Sequence, residues 1–201
     1  MIKKQKLISL AGCLAAGKTT LSQQIIKQFP QLVLAQEDIG NHEVFLSWIR
    51  REHSDGMLTQ LEFYIRSVDL LMSMARSRPT ATVLSDFSID IHHWVYSRTL
   101  HDSKLISDQE WEICCEVYSH IETLLKSRFE IYHIALRVPK DTLLQRLQNR
   151  MRDSGDTITI GTVTAYVLAF ESWLASHPEV SILLEEDISG FIRKIIHNVR
   201  E

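Results

Sequence analysis

Glycine and proline are scarce: seven and four among 201 residues. That leaves little material for many tight turns or a flexible linker, and it favours long helices in a single domain spanning 1–201. Cysteine is also rare. Cys114 and Cys115 are adjacent and Cys13 lies in a glycine loop, so there is no disulfide framework and no C-x-x-C pair. This usage fits a reducing, cytoplasmic setting. No run reaches 18 apolar residues, and "MIKKQKLISLAGC" is too short in its apolar part for a signal peptide. It reads as a first strand preceded by lysines, with no membrane association expected. Nor is there a surplus of positive charge. A formal charge of −3 and a pI near 6.3 give no support to a nucleic-acid partner. Nine histidines include no H-E-x-x-H spacing, so a zinc site has no sequence support. What remains is 45% hydrophobic and 23% charged, the ordinary mixture of a soluble globular chain.

Short apolar runs alternate with helical patterns. Lys6–Ala11, Leu32–Gln36, Ala81–Asp86, Ile131–Arg137 and Val180–Leu184 are rich in Val, Ile or Leu, as strands buried on both faces are. Between them, Thr19–Phe29 and "MLTQLEFYIRSVDLLMSMARS" have helical character. "SDQEWEICCEVYSHIETLLKSR" opens on a capping box, Ser107 with Glu110. The alternation predicts an α/β fold of three layers, with a five-stranded parallel sheet between helices.

The most informative stretch is "GCLAAGKTT", residues 12–20, between the first strand and the first helix. Its G-x-x-x-x-G-K-T spacing is that of a phosphate-binding P-loop. Gly12 and Gly17 permit the tight turns that aim backbone N–H groups inward, and the positive end of the following helix attracts anions. Gly12, Ala15, Ala16, Gly17, Lys18, Thr19 and Thr20 are therefore the candidate nucleotide-binding residues. Lys18 would reach the β- and γ-phosphates and the Thr19 hydroxyl would ligate Mg²⁺. Cys13 is read as a small residue that the loop tolerates.

Phosphoryl transfer also needs a base, a metal-supporting carboxylate and cations over the moving group. Glu37 and Asp38 follow the second strand and Asp86 ends the third, so they face the crevice where such sheets bind ligands. Asp86 suits the metal. "RLQNRMR" brings Arg146 and Arg150 to one helix face and Arg152 to its end, just before the irregular "DSGD". That is the make-up of an arginine-bearing lid, about 146–158.

These segments together resemble the deoxynucleoside kinases, including the bacterial deoxyadenosine/deoxyguanosine kinases. "GCLAAGKTTL" is similar to their phosphate loop, and Glu37 falls where the family keeps its general base. "LTQLEFYIRS" resembles the helix whose glutamine reads the nucleobase, which implies that role for Gln60. "DFSIDIHHWVYSRTLHDSKLIS" resembles the family's Glu/Asp-Arg-Ser segment, and "LLQRLQNRMR…ITI…ESWL" its lid and closing helix. A family phenylalanine stacks on the base; Phe63 or Phe87 would do so here. The resemblance implies ATP and Mg²⁺, a nucleoside-like acceptor and a homodimer formed through the helices around 58–77 and 107–127.

Two departures fall on the acceptor side. Asp86-Phe87-Ser88 lacks the arginine that would pair with the base, and Ser154 and Gly155 stand where the family often carries glutamates. Asp90 and Arg66 are the nearby candidates to take over. His92 and His93 follow the same segment, and contact with the acceptor is one reading beside helix-cap or surface roles. Trp48, Trp94, Trp111 and Trp173 are read as core or interface fillers. The expectation is an ATP-dependent kinase with Glu37 as base and with Lys18 and Arg150 as catalytic cations. The acceptor is a nucleoside or deoxynucleoside, natural or modified. A kinase of another small molecule (a sugar, an antibiotic or a nucleoside monophosphate) and a nucleotide-binding regulatory protein with a decayed acceptor pocket are the alternatives.

Overall fold

The computed structural model describes residues 4–37, 55–154, 159–182 and 185–197, with backbone alone at 150–154, 185–187 and 197. Five strands form one sheet: β1 (Gln5–Ala11), β2 (Val33–Ala35), β3 (Val83–Ser85), β4 (Phe129–Ala135) and β5 (Ser181–Ile182). Their order is β2-β3-β1-β4-β5 and every pairing is parallel. The five expected strands are all present, with shorter or shifted ends. β2 and β3 pair over three residues only, so Leu32 and Asp86 fall outside the ladder. β4 begins at Phe129, paired with Gln5, and ends before Arg137. The Leu136 N–H donates to Ala11 O (2.8 Å) as the last bond beside it, and the Arg137 guanidinium turns to Glu171 through two bonds of 2.9 and 2.7 Å.

The period-two alternation of the strands divides the core. Ile8, Leu10, Leu84 and Ile134 point to one face, where α1 (Lys18–Gln28) supplies Leu21 and Ile25, and the C-terminal helix at Glu185–His197 supplies Ile188, Ile192 and Ile195. Leu7, Val83 and Ala135 point to the other face. There they meet α2 (Gly56–Ser77) and a helical run at 89–102, called α3. Helices α4 (Asp108–Arg128), α5 (Lys140–Ser154) and α6 (Ile160–Ser176) complete that layer. The C-terminal helix is α7.

Helix starts follow their local chemistry. Asp55 caps α2 by accepting from Leu58 N–H (2.8 Å). The Ser107–Glu110 capping box opens α4 as expected. α3 is irregular: Ile89–Ile91 and Arg98–Asp102 are α-helical, but His92–Ser97 between them is wound as a π-helix. Such insertions occur mostly at functional sites. Trp173 is a core residue, packed with Phe170 and 3% exposed. Trp94 and Trp111 meet edge to face, and Trp48 lies outside the described residues.

Candidate active site

The loop between β1 and α1 is shaped by backbone needs. A Cβ on Gly12 would lie 3.2 Å from both Leu136 O and Ala16 Cβ, so glycine lets the β1 and β4 ends close up. Gly17 caps α1 at φ 96°, and Ala15 is left-handed at φ 62°. A non-glycine residue in that region costs on the order of 1–2 kcal/mol and marks ligand-clamping loops. Among the described residues no side chain caps α1, and the first N–H groups of such a helix start suit an anion.

The loop's cations are already docked on it. Lys18 Nζ donates to Gly12 O (2.9 Å) and Cys13 O (3.1 Å). Arg146 Nη1 reaches across from α5 to Ala15 O (3.2 Å) and Ala16 O (3.1 Å). Thr19 and Thr20 are exposed on the first turn of α1. The side chains of Arg150 and Arg152, and residues 155–158 of the expected lid, lie outside the described residues. The Cys13 thiol is 4% exposed, and burial pushes it up to about 12 against the pull of Lys18. It is a packing residue, inert at neutral pH.

Asp86 joins the donor loop to the acceptor side. One of its oxygens accepts from Thr19 Oγ1 at 2.9 Å, and the other accepts from the Glu37 backbone N–H at 2.9 Å. The carboxylate is 4% exposed. Burial raises its affinity for a proton, opposed by these two bonds and by Lys18, while the charge of Glu37 adds to the rise. Hydroxyl and carboxylate oxygens side by side are the hard donors that a magnesium ion takes.

Glu37, at the carboxyl end of β2, has a partner that its sequence neighbours do not supply. Its Oε1 lies 3.1 Å from His92 Nε2, and both side chains are largely buried, at 15% and 7% exposed. The imidazole stacks on Phe63 of α2 with centroids 4.8 Å apart and planes within 17°. Gln60, one turn earlier on α2, accepts from Ser97 Oγ at 3.1 Å. Ser97 also lies 2.8 Å from His92 O and 2.7 Å from the Tyr64 hydroxyl. Glu37, Gln60 and Phe63 are thus brought together around the π-wound segment.

Phe87 and Asp90 are placed differently. The Phe87 ring is 2% exposed in the core cluster with Leu7, Tyr64 and Val83, whereas Phe63, 6% exposed, stacks on His92 beside Glu37. Asp90 is held by the Tyr118 hydroxyl (2.7 Å) and His133 Nε2 (3.0 Å). Burial alone would raise its pKa, but the His133 hydrogen bond and charge, with Tyr118, hold it below the usual carboxylate range. Arg66 pairs with Glu62 one turn away on α2 (2.9 Å). Ser97 was not singled out by the sequence reading. Its signal is a spacing of five from His92, which matters only in a π-helix. His93 turns the other way, into a stack with Tyr118 (4.1 Å, 5°) and Trp111 (4.8 Å, 8°).

A parallel sheet that delivers a glycine loop, its lysine and the acidic residues Asp86 and Glu37 to the carboxyl ends of its strands has the arrangement of a P-loop phosphotransferase. The deoxynucleoside kinase family model matches residues 8–198. The chain belongs to that family and is a nucleoside kinase, transferring a phosphoryl group to a hydroxyl. It is 21% identical over 181 residues to the probable deoxycytidine kinase of Fowlpox virus (strain NVSL), covering 89% of this chain and 76% of that one. Its fold is similar to that of deoxyadenosine kinase from M. mycoides with bound dCTP. That match has a TM-score of 0.76 at 14% identity over 96% of this chain and 100% of the other. The same enzyme with bound dATP matches at a TM-score of 0.73 and 16% identity, over 96% and 98%. Among the described residues no helix is long and apolar enough to cross a membrane.

Proposed function

We propose that the chain binds ATP with Mg²⁺ at residues 12–20 and passes the γ-phosphoryl group to the 5′-hydroxyl of a deoxynucleoside or a modified relative. The observation that carries this reading is the Asp86 bridge, with Thr19 of the donor loop on one oxygen and Glu37 on the other. The bridge supports the reading because it ties the phosphate loop and the backbone N–H of Glu37 to one buried carboxylate.

Glu37 takes the proton from the acceptor hydroxyl as it attacks in line. Lys18 and Arg146 leave their carbonyl partners for the phosphates, because phosphate oxygens carry more charge than backbone oxygens. Arg150 and Arg152 follow on the same helix and add to that cationic side. Thr19 and Asp86 would hold Mg²⁺. A metal ion bound there neutralises charge on the phosphate oxygens. Gln60 presents its amide to the nucleobase edge and Phe63 an aromatic wall. The substrates named for the relatives make deoxycytidine and deoxyadenosine the first acceptors to try.

The groove between α2 and α4, lined by Ile65, Val68, Met72, Val117, Ile121 and Leu124, supports a homodimer. Ile65 is 63% and Leu124 38% exposed in the monomer. A cytoplasmic location fits three free cysteines.

The test is a panel of nucleosides and deoxynucleosides incubated with γ-labelled ATP and Mg²⁺. Transfer to at least one is expected, and Glu37→Gln should abolish it while leaving ATP affinity nearly unchanged. ATP binding with no acceptor phosphorylated would overturn the proposed function. Equal loss of transfer and ATP affinity in Glu37→Gln would remove the base assignment.

A further inference from the structure

We infer that His92 is the positioning residue for the base, doing through its Nε2–H what the family resemblance assigns to an arginine at position 87. This rests on the reading of Glu37 as base. Position 87 is a phenylalanine buried in the core, so no cation from that position can steer the carboxylate. His92 Nε2 lies 3.1 Å from Glu37 Oε1 instead.

The proton's place on the ring follows from the surroundings. Nδ1 of His92 is buried with no hydrogen-bond partner among the described residues. A proton on Nδ1 and none on Nε2 would orphan a buried N–H and leave a nitrogen lone pair facing a carboxylate oxygen, two unfavourable contacts at once. The Nε2–H tautomer has neither fault, and it donates to Glu37. A lone pair left on Nδ1 is the smaller cost.

Aromatic neighbours flank the ring, and a side-chain hydrogen bond ties its backbone. Phe63 covers one face, Tyr96 approaches at 5.7 Å with planes tilted by 55°, and Ser97 Oγ ties to the carbonyl of His92 itself. The π winding lets Ser97, five residues on, serve Gln60 from the same segment. His92 thereby sets where the Glu37 carboxylate stands relative to the acceptor held by Gln60 and Phe63. It does not touch the reacting atoms.

Two substitutions separate the donor from the ring. His92→Gln keeps an N–H able to reach Glu37 but loses the stack. His92→Phe keeps an aromatic on Phe63 but has no donor. With deoxyadenosine and deoxycytidine as acceptors, kcat for His92→Phe should fall on the order of 10- to 100-fold, the effect of a misplaced catalytic group. KM for ATP should stay within about threefold, and His92→Gln should recover at least a third of the wild-type kcat.

Unchanged kcat in His92→Phe, or an equal loss in His92→Gln and His92→Phe, would overturn the inference. Transfer that survives Glu37→Gln would instead sink the base assignment beneath it. Independently of turnover, the imidazole ¹⁵N–¹H signal missing in His92→Gln should carry the Nε2–H pattern and shift in Glu37→Gln. A Nδ1–H pattern, or no shift, refutes the hydrogen bond itself.

Discussion

His93 gives a quantitative test of the packing beside the site. Its ring is 1% exposed, stacked on Tyr118 and Trp111, edge-on to Trp94 at 4.6 Å, with Nδ1 2.9 Å from the Tyr64 hydroxyl. Burial lowers its pKa from 6.5 to about 4, with the Asp90 charge pulling weakly the other way. The folded chain therefore refuses a proton that the unfolded chain accepts below pH 6.5. Stability is full above 6.5 and drains away as pH falls towards 4. With those two values, moving from pH 7.5 to 5.0 costs about 2 kcal/mol through this residue alone. At roughly 2–4 °C per kcal/mol for a chain of this size, that is a Tm loss of about 4–8 °C. His93→Phe keeps the stack and removes the titration. It should be less stable than wild type at pH 7.5, by about 1 kcal/mol for the lost hydrogen bond. It should then close or reverse that gap by pH 5.0. Thermal unfolding followed by tryptophan fluorescence at four pH values reads the difference, and the other histidines cancel because both proteins carry them. Parallel curves for the two proteins would show that the buried imidazole does not titrate as argued.

Three more outcomes are expected. Asp86→Ala removes both tethers between the donor loop and Glu37. It should cut transfer on the order of 100-fold and lower stability by about 1–3 kcal/mol, read by kinetics and by melting. Asp90→Asn should destabilise the fold at pH 7 by a similar amount. It should also flatten the acid limb below about pH 4, because a carboxylate with a depressed folded pKa stabilises only above its unfolded value and loses that as pH falls. The proposed homodimer should run at twice the chain mass in light scattering and Ile65→Glu with Leu124→Glu at the monomer mass; the same mass for both proteins would refute the α2–α4 interface.

Much of the fold could be read from residue patterns because strand burial and helix capping leave local marks. The five apolar runs are the five strands, and Ser107 with Glu110 caps α4 as spelled out. Strand ends were not legible, since where β2 stops is decided by its neighbour β3 and not by its own residues. The donor loop was legible for the same reason as the caps: its chemistry is contained in nine consecutive residues. On the proposed acceptor side, the family resemblance singles out Glu37, Gln60 and Phe63, and the structure brings these three together around His92 and Ser97. The Glu37–His92 bond joins residues 55 apart, and no local pattern encodes it. Asp90 looked like an acceptor contact because it is charged and near Asp86. Its partners, Tyr118 and His133, sit on elements that meet it only after folding.

The stretch from His92 to Ser97 has a consequence for comparing this enzyme with its relatives. An α-helical winding there would turn each successive side chain by about 100°, and the wider π turn sets a different rhythm. Deleting a single residue between His92 and Ser97, even one that touches nothing in the pocket, would rotate one of them out of reach of its mate. The relative placement of His92 and Ser97 is therefore stored in the pitch of the backbone, and two chains alike at every contacting position but differing by one residue in between would set the partners of Glu37 and Gln60 differently.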